Sequence, residues 1–333
     1  GLSSCGHDGL DSDPEFSVKN LVVSARAEVV KANGATMRAD VLPPTKSCSR
    51  FNGHAGLHGG GEYGIAGLSD TRGTRLRDLF YRLLSEAPVA VKGARYVPHY
   101  TAALQDWMAL AQNVGVTRGV CVQPSFLGTD NSLMLSALKA NPETLRGVAV
   151  MAADIHADEL KALHASGVRG IRLNLAGIEH NIPEWTRAEH VWQSLHDLGW
   201  HLEVHTDQGA LPKVLAQLPT DMPLVVDHMA KPSEAKARDA TVQALSQRAQ
   251  QVPTHIKLSG AYRLGGVDAT NLSHIWLHEL GPQALLWGSD WPCTNHEQLA
   301  NYPSLFSALD SWIGAEQVEA VLSHNPQRLY WGY

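Results

Sequence analysis

The sequence predicts an α/β protein built as a (β/α)8 TIM-like barrel, and three observations predict it. From about Tyr100 onward, short β-branched or apolar runs alternate with segments of helical period, the pattern of repeated βα units. Seven such runs are readable, and closing a parallel barrel asks for an eighth strand on the N-terminal side. No GxGxxG follows an early strand and no GxxxxGK[ST] occurs, so nothing favours an open nucleotide-binding sheet.

In order, the expected strands are Arg118–Gln123, Arg146–Met151, Val168–Asn174, Trp200–Thr206, Pro223–His228, Thr254–Ser259 and Ala284–Asp290. Each is a short apolar run bounded by turn residues. Between them, amphipathic periodicity predicts helices over Thr101–Val114, Asp158–Ala165, Ala188–Leu198, Glu234–Gln250 and Leu272–Leu280. Gly128-Thr129-Asp130-Asn131-Ser132 reads as a loop with Asp130 capping the helix that follows. The tail Val318–Tyr333 reads as a helix, a turn at Asn325-Pro326, and an aromatic cluster Leu329-Tyr330-Trp331 that seals one end of the core.

The first hundred residues differ in character. Residues 1–47 show a mixed polar pattern around Val22, Val23, Val29 and Val30, and residues 51–73 are so rich in glycine that a central strand there is disfavoured. The expected division is an N-terminal extension over 1–36 and one barrel domain over 37–333, with 49–84 an atypical Gly-rich segment.

A chain of 333 residues with 44% apolar and 18% charged content is long enough for one large core. Its net charge of −6 and lack of basic runs argue against nucleic acid or an anionic membrane as partner. Cys5, Cys48, Cys121 and Cys293 are scattered without a CxxC pair, and the first residues lack a charged and then apolar leader. The expectation is a cytoplasmic protein acting on a small molecule, as a monomer or homo-oligomer.

In a barrel the C-terminal ends of all strands open onto one face. Those ends carry Gln123 and Ser125, Arg172 and Asn174, His205 and Asp207, Asp227 and His228, Lys257 and Ser259 with Tyr262 and Arg263 beyond, and Asp290. Packing alone would use Val or Leu there. Two histidines and a carboxylate can hold a divalent metal and activate water, or serve as electrophile and general base without one. Arg172 and Arg263 suit a substrate carboxylate, which guanidinium pairs with in a planar fork. Lys257 is expected to point outward to solvent.

Taken together, Arg95-Tyr96-Val97-Pro98, Val122-Gln123-Pro124-Ser125, Arg169-Gly170-Ile171-Arg172-Leu173-Asn174, Val226-Asp227-His228-Met229-Ala230-Lys231-Pro232, Lys257-Leu258-Ser259-Gly260, Trp287-Gly288-Ser289-Asp290-Trp291-Pro292 and Asn325-Pro326-Gln327-Arg328-Leu329-Tyr330 resemble the amidohydrolase-related family. The branch resembled is that of the 2-pyrone-4,6-dicarboxylate lactonases and related sugar-lactone and muconolactone hydrolases. The resemblance runs from about Ser85 to the end and implies a barrel of the amidohydrolase type that opens the ester bond of a carboxylated lactone. It implies Asp290 as the base that activates water and His228 as the group that polarises the carbonyl or binds metal. Arg172, Asn174, Arg263, Gln123, Ser125, Tyr262 and His205 are the expected substrate contacts. The cofactor is either none or one divalent ion, zinc or manganese, with His205, His228 and Asp290 as candidate ligands. The alternatives are a metal-dependent decarboxylase of the same superfamily and a catalytically impaired barrel that binds a small molecule.

The sequence departs from that family at one place. Its first strand ends in His-x-His, which occurs nowhere here. His54 and His58 are the nearest weak candidates, but four residues apart in a strand they would be separated by about 13 Å. Residues 49–84 stand where the missing motif belongs.

Overall fold

The computed structural model describes residues 22–27, 90–97, 100 and 102–332, with the backbone alone given for 22–27. Seven strands form a curled parallel sheet in chain order: β2 (Val116–Val122), β3 (Leu145–Ala149), β4 (Val168–Asn174), β5 (His201–His205), β6 (Leu224–Val226), β7 (Thr254–Leu258) and β8 (Leu285–Trp287). Each pairs with the next, so Arg172 lies beside Glu203, and Glu203 beside Val225. Parallel neighbours need a crossover, and helices supply it on the outer face. They are α1 (Leu104–Asn113), α2 (Ser132–Ala140), α3 (Ala157–Ala165), α4 (Pro183–Thr186), α5 (Glu189–Asp197), α6 (Leu211–Leu215), α7 (Ala240–Ala249), α8 (Ala269–Leu280) and α9 (Tyr302–Ile313).

An eighth strand, β1 (Val22–Ala27), lies on the N-terminal side of the sheet but runs antiparallel to β2, with Val22 opposite Val122 and Arg26 opposite Arg118. It comes from the stretch set aside as an extension. Among the described residues no hydrogen-bonded ladder joins it to β8. The Gly-rich segment, with His54 and His58, lies outside the described residues.

Two apolar layers hold this arrangement. Outward-facing strand residues such as Ile171, Leu202, Val204, Ile256 and Leu258 pack with helix residues including Trp276 and Leu245 in the main core. Side chains alternate along a strand, so the neighbours of these residues point inside the sheet's curve. There Val120, Val122, Val148, Val225 and Leu286 meet Tyr330, which enters from the tail. The aromatic seal is therefore present, and Arg118 and Arg146 both approach the ring of Trp331 beneath it, at 5.4 and 5.0 Å.

The tail corrects one expectation. Asn325 (φ −67°, ψ −51°) and Pro326 (φ −61°, ψ −33°) are helical and form no turn. A proline breaks a regular α-helix by removing a donor and crowding the preceding turn. Here the helix is wound wide over Ala320–His324 and Gln327–Trp331, which accommodates the ring. The Asn325 amide meanwhile donates to the carbonyls of Pro282 and Leu285 at 2.8 and 2.7 Å, tying the tail to the start of β8.

Helix starts follow local capping. Asn131 holds the cap position of α2 in place of the expected Asp130, which stands one residue earlier and accepts from the Ser132 N–H at 3.1 Å; Asp239, Asp268 and Asn301 cap α7, α8 and α9. No helix among the described residues is long and apolar enough to cross a membrane.

Candidate active site

A cavity of about 350 Å³ opens at the C-terminal ends of the strands. Its walls come from seven places in the chain: Arg95, Ser125 after β2, Arg172 and Asn174 of β4, His205 of β5, His228 after β6, Arg263 beyond β7 and Asp290 beyond β8. Parallel strands of one sheet bring these together because all their carboxyl ends lie on one side.

His228 is presented by an unusual turn. Four consecutive residues that are not glycine, His228 (φ 49°), Met229 (54°), Ala230 (63°) and Lys231 (44°), are left-handed. Each costs about 1–2 kcal/mol, so the surroundings must hold the turn. Trp276 Nε1 donates to the Met229 carbonyl at 2.9 Å and the Gly209 N–H donates to the Lys231 carbonyl at 2.9 Å. Gly260 is required behind the imidazole, since a Cβ there would lie 2.6 Å from His228 Nδ1. The ring is held at Nδ1 by Ser259 Oγ, 3.1 Å away, and turns Nε2 toward Asp290 Oδ1 at 3.9 Å.

Asp290 is itself left-handed at φ 50° and stands at the end of β8. Its Oδ2 accepts from Tyr262 Oη at 2.7 Å and from Arg263 Nε at 2.6 Å. Oδ1, facing His228, receives neither of these donors. Burial holds His228 well below the ordinary histidine range, with Arg263, Arg172 and Lys257 adding to the effect against the pull of Asp227. His205 is held low by burial first, then by His228 and Arg172. The two rings meet edge to face at 4.7 Å and are neutral at neutral pH.

Below the cavity the inside of the sheet carries four charges. Arg172 donates through Nη2 and Nε to Asp227 Oδ2 at 2.7 and 3.1 Å, and its Nε lies 3.5 Å from Glu203 Oε1. Lys257 corrects the expectation of an outward side chain. It is 2% exposed and lies 2.7 Å from Glu203 Oε2 and 3.0 Å from Asp227 Oδ1. The Glu203 approach is an ion pair with poor hydrogen-bond angles, since neither Glu203 oxygen has a well-aligned donor. A solvated position is unavailable to a side chain that projects inside the curve, so Lys257 is buried only because two carboxylates meet it. Burial and the Asp227 charge raise Glu203 to about 7 against the two cations. Asp227 is driven the other way: Lys257 and Arg172 outweigh its burial and hold it well below the usual carboxylate range.

The donor set fits a divalent ion. His205, Asp227 and His228 each offer a ligand atom, all within 4.8 Å of one another. Both His205 ring nitrogens are buried without a hydrogen-bond partner, the state of an imidazole available to a ligand. Asp227 competes for this role with its own cations, and Asp290, the carboxylate expected there from the sequence, lies beyond His228.

Of the expected site residues, Asp290, His228, Arg172, Asn174, Arg263, Ser125 and His205 line the cavity. Gln123 does not. Its amide is 0% exposed and donates to the carbonyls of Gly128 and Asp130 at 3.2 and 2.7 Å, so it braces the loop that shapes the rim. Tyr262 also lies off the cavity wall, behind Asp290. Three participants were missed as site residues. Asp227 was placed at a strand end without a role, and Glu203 could have been found from the alternation His201-x-Glu203-x-His205, which puts polar groups on the inner face of β5. Arg95 sits in a matching motif before any readable strand; it lines the cavity and donates to the Asn174 carbonyl at 3.2 Å.

A curled parallel sheet whose strand ends gather a clamped carboxylate, two neutral imidazoles and three arginines around one cavity defines an α/β-barrel type of hydrolase. The chain belongs to the amidohydrolase family, whose profile matches residues 83–331. A 2-pyrone-4,6-dicarboxylate hydrolase of Comamonas testosteroni is 30% identical over 263 residues, 71% of this chain and 83% of the relative. A 4-sulfomuconolactone hydrolase of Rhizobium radiobacter is 31% identical over 200 residues, 57% of this chain and 66% of that one. Among solved structures, a probable 2-pyrone-4,6-dicarboxylic acid hydrolase from Acinetobacter baumannii with citric acid bound superposes with a TM-score of 0.64. It is 31% identical and the match covers 73% of this chain and 94% of that one.

Proposed function

We propose that this protein hydrolyses the ester bond of a carboxylated lactone, of the 2-pyrone-4,6-dicarboxylate, muconolactone or sugar-lactone kind, with Asp290 activating water. The observation that carries this is the placement of Asp290 Oδ1 beside His228 Nε2, at 3.9 Å, in a cavity walled by Arg95, Arg172 and Arg263. A water placed against Oδ1 gives its proton to the carboxylate as its oxygen bonds to the lactone carbonyl carbon. The ring C–O bond then breaks, the departing oxygen takes up a proton, and a ring-opened acid leaves. Neutral His228 can donate from Nε2 to the carbonyl oxygen when Ser259 donates to Nδ1, which stabilises the charge developing on that oxygen. The arginines and Asn174 orient the substrate carboxylates, with Ser125 at the rim. Gln123 and Tyr262 act from behind the wall.

His205, His228 and either Asp227 or Asp290 would hold a divalent ion such as zinc or manganese. Bound there, such an ion would polarise the carbonyl and lower the pKa of water. Elemental analysis of the purified protein decides whether one is retained. In this reading β1 to β8 are the eight strands of one barrel, so the 1–36 extension contributes β1 and the barrel domain reaches back beyond residue 37. The scattered cysteines, of which Cys121 and Cys293 are free, support a reducing compartment such as the cytoplasm.

Acid release from a panel of carboxylated lactones tests the proposal. Turnover of at least one is expected; no turnover on any, with carbon dioxide released from an aromatic acid, would replace it with the decarboxylase reading.

A further inference from the structure

We infer that Tyr262 is a positioning residue for Asp290, selecting which carboxylate oxygen acts as base, and is not a substrate contact. The inference rests on the proposed role of Asp290 and adds how that role is enforced. Tyr262 follows β7 in the short helical turn Ala261–Arg263, two residues past the left-handed Gly260. That turn aims two successive side chains at one oxygen: Tyr262 Oη and Arg263 Nε reach Asp290 Oδ2 at 2.7 and 2.6 Å. Both are short, charge-assisted contacts.

With Oδ2 fully engaged, the carboxylate plane is set by three points: the Cα position and the two donors. Oδ1 is then the oxygen presented to His228 and the cavity. A single donor would leave the group free to rotate about its Cβ–Cγ bond, because terminal torsions of this kind have broad, shallow minima. Arg263 alone is such a donor: its Nη2 is engaged by the Thr294 carbonyl at 2.9 Å, and it reaches the carboxylate through Nε only, without a planar fork. Tyr262 therefore supplies the second fixed point. Its ring is packed for the purpose, lying 4.9 Å from the His296 ring and 5.3 Å from the Arg263 guanidinium carbon. It does not line the cavity.

The test is Tyr262→Phe, which keeps the ring and removes only the hydroxyl. A positioning role predicts a fall in kcat of roughly 10- to 100-fold, the scale of small misplacements of a reacting group, with KM within about threefold of the parent. A substrate contact would instead raise KM and spare kcat. A crystal structure of the variant reads the same device without any substrate: the Asp290 carboxylate is expected to rotate so that Oδ1 leaves its 3.9 Å approach to His228. An unmoved carboxylate, or a kcat equal to the parent's, overturns the inference. Should the parent turn over no lactone, the proposed reaction fails, and the rotation of Asp290 still decides the positioning role.

Discussion

Replacing Asp227 by Asn removes one charge from the inner network while keeping the shape of the side chain. Asp227 is 4% exposed and faces Arg172 at 2.7 and 3.1 Å and Lys257 at 3.0 Å. After the change two buried cations share Glu203 alone. Removing one partner of a buried ion pair costs about 3–5 kcal/mol, because a charge is left uncompensated. Asn keeps a carbonyl that can accept one of the lost hydrogen bonds, so the lower end, about 3 kcal/mol, is expected. For a barrel of about 300 residues, with an unfolding entropy of about 2.1 cal/mol/K per residue, that lowers Tm by roughly 4–5 °C. Urea and thermal melts of the parent, Asp227→Asn, Arg172→Met and the double variant form the assay. The double variant removes opposite charges together and is expected to be more stable than the two single losses summed would allow. A loss below about 1 kcal/mol, or strict additivity, would refute the claim that these charges are held by each other.

Other consequences follow from neighbouring groups. Burial depresses His201 to about 3 and His255 to about 4, so unfolding lets both take up protons. Their contribution to stability is complete above the ordinary value of about 6.5 and is lost as pH falls toward the folded values. Melts between pH 7 and 4 should show declining stability, with a shallower decline in His201→Phe or His255→Gln; an unchanged slope in both contradicts it. Trp276→Phe removes the donor to the Met229 carbonyl and should cost about 1–3 kcal/mol by leaving a buried acceptor unpaired. Because that carbonyl lies inside the turn that presents His228, kcat should fall as well, and a stability loss with normal kcat would detach the turn from catalysis.

The strand pattern was legible from β2 to β8 because each strand is a short run, most of them with Gly, Pro or Asp close to an end, and β4 falls on the expected residues Val168–Asn174. The shared direction of these strands then made the site legible, since polar residues at their ends had to meet. What escaped did so for physical reasons. The α9 helix carries its signal in Asn301 and Pro303, a cap and a first-turn proline, but follows β8 only after the long irregular stretch 288–301. β1 has a weak alternation and pairs antiparallel, a direction no local pattern encodes. Lys257 was misread because a lysine inside a sheet is expected only where carboxylates await it. Glu203 and Asp227, 54 and 30 residues earlier in sequence, become its neighbours only through the register of β5, β6 and β7.

The most direct measurement is steady-state hydrolysis of a carboxylated lactone by Asp290→Asn beside the parent, with circular dichroism to establish the fold. Asn fills the same space and can still accept from Tyr262 and Arg263, but it cannot take a proton from water. A base in that position accounts for about 10²–10⁴ in rate, so kcat should fall by that factor while KM stays near the parent's. Undiminished kcat in a folded Asp290→Asn protein would contradict the account.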